Sequence, residues 1–100
     1  PSDSNIEQVV ATLQSRKFLS QYINRKKLLP ILFEDIWDSE KQKWLVHSQE
    51  HEPSEQKAVK SFKSILSVSE DKQSGLINLS ILWKNPEIAA EWANDLWRKN

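Results

Sequence analysis

The chain of 100 residues contains no cysteine, no methionine and a single glycine. Without cysteine, the sequence offers no disulfide framework and no thiolate ligand for a metal. One glycine is too few for a glycine-rich phosphate-binding loop. The longest apolar run, residues 28–33, is interrupted by Pro30 and falls far short of the roughly 20 residues that span a bilayer. Because methionine is absent and the chain begins Pro-Ser-Asp-Ser-Asn, we expect it to be part of a longer protein.

The composition is otherwise that of an ordinary globular domain. Hydrophobic residues make up 38% and charged residues 28%, and five tryptophans can bury a large apolar area. Lys and Arg number 14, as do Asp and Glu, so the formal net charge is +0. This balance argues against a chain-wide attraction to nucleic acid or anionic lipid. We expect residues 1–100 to form a single domain.

Apolar residues at helical spacing predict four helices. Ser4 and Glu7 fit a capping box at the start of the first helix, and Ser15 is the expected N-cap of the second. We expect Pro30 to end this second helix. A third helix is predicted from the N-cap Ser54 to Lys63.

The last helix is predicted to begin at Asn85, with Pro86 in its first turn. The apolar stripes expected to face the core comprise Ile6, Val9, Val10, Leu13, Phe18, Leu19, Tyr22, Ile23, Ala58, Val59, Phe62, Ile88, Ala89, Trp92, Ala93, Leu96 and Trp97.

Apolar alternation with a period of two predicts an antiparallel hairpin from residues 65–69 and 76–83, with Gly75 in its loop. The fold class is therefore α+β, a small antiparallel or mixed sheet covered by three to four helices. A sheet of only two strands has marginal stability in water. Either residues 43–47 supply another strand or further strands lie elsewhere in a longer protein, and the second is our expectation. An incomplete sheet would self-associate through its free edge.

One short motif matches a metal site. His47, Glu50 and His51 form the H-x-x-E-H pattern of inverted zinc metallopeptidases, in which two histidines on one helical face hold zinc and the glutamate activates water. Pro53 follows closely, and residues 43–46 resemble a strand, so a helix through both histidines is not expected. We interpret the motif as a polar loop and keep a small zinc hydrolase as an alternative.

Other polar clusters have simpler explanations. Asp35 with Asp38, and Glu70 with Asp71, are paired carboxylates that we expect to be turn residues rather than acid–base groups. The run at residues 24–27, Asn-Arg-Lys-Lys, could bind a phosphate-bearing polymer or lipid head group. Its simpler interpretation is a charged helix C-terminus.

The tryptophans differ in their predicted surroundings. Trp83, Trp92 and Trp97 fall on faces predicted to be buried, so packing in the core is the default. The pattern assigns Trp37 and Trp44 less clearly to a buried face. Because indoles pack on pyranose rings, these two are candidates for an interface or a glycan contact.

Two long segments carry a resemblance to a known family. Residues 13–38, LQSRKFLSQYINRKKLLPILFEDIWD, and residues 61–97, SFKSILSVSEDKQSGLINLSILWKNPEIAAEWANDLW, resemble the Wzz-type chain-length determinants. These are polysaccharide co-polymerases of bacterial inner membranes. The more specific parts are the "LxSRxF" helix start leading to "LLPxLF", and the hairpin that runs into a Pro-capped helix. The resemblance covers most of the chain.

The resemblance implies a function without catalysis or a cofactor. It implies the membrane-proximal periplasmic base of an inner-membrane protein that forms homo-oligomeric rings and sets the chain length of O-antigen beside a membrane polymerase and the growing glycan. Alternatives are the periplasmic part of a kinase-linked capsule or exopolysaccharide co-polymerase, or a generic peptide- or glycan-binding module. In the family the last helix continues, which implies that Trp97 is exposed and joins Trp37 and Trp44 as a candidate contact.

Overall fold

Five helices and two short antiparallel hairpins build the part of the chain that the computed structural model describes, residues 2–99. The expected α+β class is confirmed. In chain order the elements are α1 (Ser2–Leu13), α2 (Arg16–Lys26), α3 (Leu29–Leu32), β1 (Trp37–Asp38), β2 (Lys43–Trp44), α4 (Glu55–Ile65), β3 (Leu66–Glu70), β4 (Ile77–Ile81) and α5 (Pro86–Lys99). Two short 3-10 turns, Glu34–Ile36 and Gln49–His51, lie in the connection between α3 and α4.

Three of the four predicted N-caps are confirmed. The Ser15 hydroxyl accepts the backbone N–H of the third residue of α2, and Ser54 does the same for α4. The Asn85 side chain accepts two N–H groups in the first turn of α5. The Ser4 prediction is wrong, because α1 begins at Ser2. Ser4 therefore lies within the helix rather than at its N-cap.

The main hairpin follows the predicted alternation. Antiparallel pairing joins Leu66 to Ile81 and Glu70 to Ile77, and the inward-facing side chains are half-buried while those between them are exposed. In the loop, the Asp71 carboxylate accepts backbone N–H groups and Gly75 adopts a φ of 75°. β1 and β2 pair with each other as a separate ribbon. Residues 43–47 therefore add no strand to the main hairpin in the described part.

The core is an aromatic cluster between α2, α4 and α5. Phe62 lies at its centre, with ring centroids 6.1 Å from Tyr22 and 5.7 Å from Trp92, and Trp83 lies 5.3 Å from Trp92. Pairs at these separations add to the hydrophobic stabilisation that burial alone supplies. α1 packs against β3 and α5 packs against β4, so the helices cover the inner face of the hairpin.

A polar contact joins α2 to α5 beside this cluster. The Tyr22 hydroxyl donates to Asp95 Oδ2 at 2.8 Å, and Lys26 Nζ lies 3.1 Å from Glu91 and 3.4 Å from Asp95. Burial and the contact with Asp95 raise the pKa of Tyr22 far above its ordinary value, so the phenol stays a donor. Burial opposes ionisation of Asp95, but Tyr22 and Lys26 outweigh it and lower the pKa of that carboxyl.

Trp97 lies outside the core, although helical spacing alone placed it in the buried stripe. Its side chain is 51% exposed, whereas Trp92 on the same helix is 1% exposed. The exposure agrees with what the family resemblance implies. Among residues 2–99, no helix has both the length and the apolarity required to cross a membrane.

The two tryptophans of α5 give a matched test of the core. We expect Trp92→Ala to lower the free energy of unfolding by about 3–5 kcal/mol, because it leaves a large cavity against Phe62. Trp97→Ala should cost less than about 1 kcal/mol, because that side chain is half exposed. Urea unfolding followed by circular dichroism measures both. Equal losses would contradict the described packing.

Stability should also depend on the charge of Asp95. Its folded-state pKa is depressed, so its contribution is present above the ordinary aspartate pKa of about 4 and is lost as the pH falls through the lower folded value. Asp95→Asn keeps an acceptor for Tyr22 but removes the charge beside Lys26. We expect the variant to be less stable by about 0.5–1 kcal/mol at pH 7 and to converge with the parent as the pH falls below the lowered folded-state pKa of Asp95. A constant difference across that range would refute the pairing.

Candidate functional site

A tryptophan pair forms the centre of the β1–β2 ribbon. Trp37 lies opposite Trp44, and the N–H of Leu45 donates to the carbonyl of Ile36 at 2.8 Å. Residues 36 and 45 are thus a hydrogen-bonded pair, which makes 37 and 44 a non-hydrogen-bonded pair with closely spaced side chains. Their ring centroids are 4.7 Å apart in an edge-to-face arrangement, with an interplanar angle of 63°. Each tryptophan stabilises the orientation of the other.

The turn of this ribbon is closed by Asp38. Its Oδ1 accepts the backbone N–H groups of Glu40 and Lys41, both at 3.0 Å, and Gln42 completes the turn with a φ of 54°. Asp38 is therefore a turn residue, as expected. In the main hairpin, Asp71 has the same role, and its pKa is lowered by the backbone N–H groups of Gln73 and Ser74.

The other wall of the site begins where α2 ends. The N–H of Leu28 donates to the carbonyl of Ile23, and the N–H of Lys27 donates to Asn24, which is the Schellman arrangement of a helix C-terminus. Lys27 has a φ of 55°, a left-handed conformation that glycine adopts more readily. The prediction that Pro30 ends α2 is wrong. Pro30 instead lies in α3, where a helix tolerates proline because its first N–H groups need no partner within the helix.

These elements and the tryptophan pair line an open cleft of about 280 Å³. Its apolar lining residues are Ile23, Leu29 and Pro30, and its polar lining residues are Asn24 and Lys27. The two indoles are half-buried, so apolar ring surface and hydrogen-bonding groups meet in one concave site. This combination suits one sugar ring, whose C–H face packs on an indole while its hydroxyls bond to amide and ammonium groups.

The structure brings together two of the three tryptophans predicted as contacts. Trp37 and Trp44 share the cleft, whereas Trp97 lies on α5 and does not line it. Asn24 and Lys27, the polar residues of the cleft, belong to the Asn-Arg-Lys-Lys run at residues 24–27. The positive charge of this run marked it in the sequence as a candidate binding segment. Lys26 of that run instead pairs with Glu91 and Asp95, as a charged helix C-terminus would.

The H-x-x-E-H motif does not form a helical metal site. Gln49–His51 is a single 3-10 turn, and His47 lies before it. His51 Nδ1 is 2.7 Å from the Ser48 hydroxyl in an exposed segment. Within the described residues, no group of three or more His, Cys, Asp or Glu side chains is placed to hold a metal ion.

A larger concavity near Trp83 was not predicted. It measures about 610 Å³ and lies beside an ion pair between Lys84 and Glu34. The pair joins residues 50 positions apart, so no local pattern in the sequence could reveal it. Most of its polar side chains already have partners, because Asn85 caps α5 and Lys84 contacts both Glu34 and the Trp83 ring, although Glu87 also lines it. The tryptophan cleft, whose Asn24 and Lys27 side chains show no such contacts, is the better candidate site.

Comparison with family models, with characterised proteins and with solved structures finds no significant match to this chain.

Proposed function

We propose that this chain is the periplasmic base of a polysaccharide co-polymerase, which regulates the length of a surface polysaccharide such as the O-antigen of lipopolysaccharide. It acts without catalysis, as an oligomeric scaffold beside a membrane polymerase at the inner membrane. One observation carries the proposal. The two segments that resemble the Wzz-type family, residues 13–38 and 61–97, correspond to two continuous structural units.

The first unit runs from α2 to β1, and the second runs from the end of α4 through the β3–β4 hairpin to α5. Residues of the more specific motif have defined positions in the second unit. Asp71 and Gly75 shape the hairpin loop, Asn85 caps α5, and Trp92 fills the core. The motif therefore describes one folded hairpin–helix unit rather than scattered matches.

The tryptophan cleft supports a contact with the growing glycan. Its lining combines two indoles and apolar side chains with the hydrogen-bonding residues Asn24 and Lys27, a combination suited to binding a sugar ring. A ring of such domains would hold several parts of one glycan at once. Multiple weak contacts raise the residence time of the chain, and that time biases when extension stops.

Gene replacement in the bacterium that encodes the protein tests this function. We expect deletion to remove the modal length of the O-antigen, seen as a loss of the main cluster of bands on a lipopolysaccharide gel. The parent gene and Trp97→Ala should restore the mode, whereas Trp37→Ala/Trp44→Ala should shift it to shorter chains because glycan contact is lost.

Immunoblotting and membrane fractionation control for expression and location of each variant. An unchanged band pattern after deletion would overturn the O-antigen assignment. An altered length of capsule or exopolysaccharide in the same strain would point to the kinase-linked class of co-polymerase.

A further inference from the structure

The tryptophan cleft is one end of a longer groove that follows α2. A middle concavity of about 490 Å³ shares Asn24 with the cleft, and a third concavity of about 290 Å³ shares Arg16 with the middle one. The three concavities therefore lie side by side along α2, from its C-terminal end to its N-terminal end. Eleven residue steps at 1.5 Å separate Arg16 from Lys27, so the groove is about 16 Å long. That length exceeds a single sugar ring and suits a segment of a linear polymer.

α4 forms the opposite wall at the far end of the groove. Gln56, Lys60 and Lys63 are spaced at i, i+4 and i+7, so they lie on one stripe of this helix, next to the buried Val59. Arg16 lies across from them on α2. This end of the groove has an apolar floor and three cations, with no carboxylate in its lining.

Charge is strongly segregated toward this groove. The whole chain has a formal net charge of +0, yet the described linings of the three concavities contain five cations and one carboxylate: Arg16, Lys17, Lys27, Lys60, Lys63 and Glu55. Among the side chains that the structure describes, residues 5–98, the ion pairs are those of Lys26, Lys72 and Lys84, and none of the five groove cations takes part in one. Unpaired cations along a concave surface favour an anionic ligand.

We propose that the groove along α2 binds a segment of an acidic polysaccharide, whose carboxylate or phosphate groups lie at the Arg16–Lys60–Lys63 end while one sugar ring packs in the tryptophan cleft. The inference rests on the proposed function for the class of polymer and adds that this polymer is anionic. Arg16 provides a planar guanidinium for a two-point contact with a carboxylate or phosphate, and the two lysines provide adaptable point charges.

Glu55 makes the middle of the groove less basic than its far end. This carboxylate lines the middle concavity together with Arg16, Lys17, Ser20 and Gln21, so that portion has two cations and one carboxylate. The strongest attraction for an anionic group therefore lies at the Arg16–Lys60–Lys63 end, whose lining contains no carboxylate.

The arrangement favours a glycan over single-stranded nucleic acid. Nucleic-acid grooves place aromatic platforms in succession, with one base stacked on each. Here both aromatic residues of the groove lie at one end, in an edge-to-face pair with ring centroids 4.7 Å apart. The chain also lacks the net positive charge that gives such proteins their long-range attraction to phosphates.

Calorimetric titration of the 100-residue chain with short oligogalacturonates tests the inference. The matched ligand is the fully methyl-esterified oligosaccharide, which has the same sugar backbone without charge. The groove variant Lys60→Glu/Lys63→Glu is compared with Lys57→Glu/Lys72→Glu, which changes the net charge equally at exposed positions outside the groove. Circular dichroism confirms the fold of each variant.

We expect the parent to bind the acidic oligosaccharide more tightly than its ester, with an affinity that falls as salt is added. The groove variant should lose about tenfold or more of the affinity for the acidic ligand, because reversed charges replace two charge-assisted contacts. The control variant should stay within about threefold of the parent. Binding of the ester should be equal in both variants and should weaken with Trp44→Ala.

Equal affinity for the acid and the ester would overturn the inference, as would equal losses in the two double variants. Tighter binding of an oligodeoxythymidylate than of the oligogalacturonate would replace it with a nucleic-acid function. The absence of binding by either oligosaccharide would also refute it. The chain-length phenotype in the encoding bacterium is measured independently, so a failure of the acidic ligand alone leaves the proposed function standing on that result.

Discussion

The packing of Trp92 against Phe62 holds the rest of this structure together. One ring belongs to α5 and the other to α4, and their centroids lie 5.7 Å apart with both side chains excluded from solvent. Tyr22 reaches the same cluster from α2, and Trp83 reaches it from the segment between β4 and α5. Because a domain of 100 residues has a small core, a few large aromatic side chains supply a large share of its apolar burial.

This core determines which face of α2 is left for a ligand. Leu19, Tyr22 and Ile23 are buried, and the hydrogen bond from the Tyr22 hydroxyl to Asp95 ties that face to α5. The side of the helix that presents Arg16, Lys17, Gln21 and Asn24 is exposed and forms one wall of the groove. The left-handed turn at Lys27 then redirects the chain so that the tryptophan ribbon closes one end. The same packing that stabilises the fold thus also places cations and indoles along a single line.

Local patterns in the sequence predicted most of the secondary structure, because the signals are short-range. Ser15, Ser54 and Asn85 cap their helices through partners no more than three residues away. The apolar alternation in the two strands of residues 66–81 indicates that one face of the hairpin packs inward. The end of α2 was missed because Lys27 occupies a position where glycine is the usual signal. Trp37 and Trp44 were recognised as candidates, but their pairing required the turn at Asp38. The groove could not be predicted, since α2 and α4 meet only in the folded chain.

The proposed groove makes the exposed side of α2, from Arg16 to the tryptophan pair, a single glycan-binding surface. This surface can be mapped by the amide and indole chemical shifts of the ¹⁵N-labelled chain, recorded during titration with oligogalacturonate. We expect shifts along the outer face of α2, at Gln56–Lys63 and at the indoles of Trp37 and Trp44, with the Trp97 indole unchanged. Shifts centred on Trp83 and Lys84, or on Trp97, would contradict it.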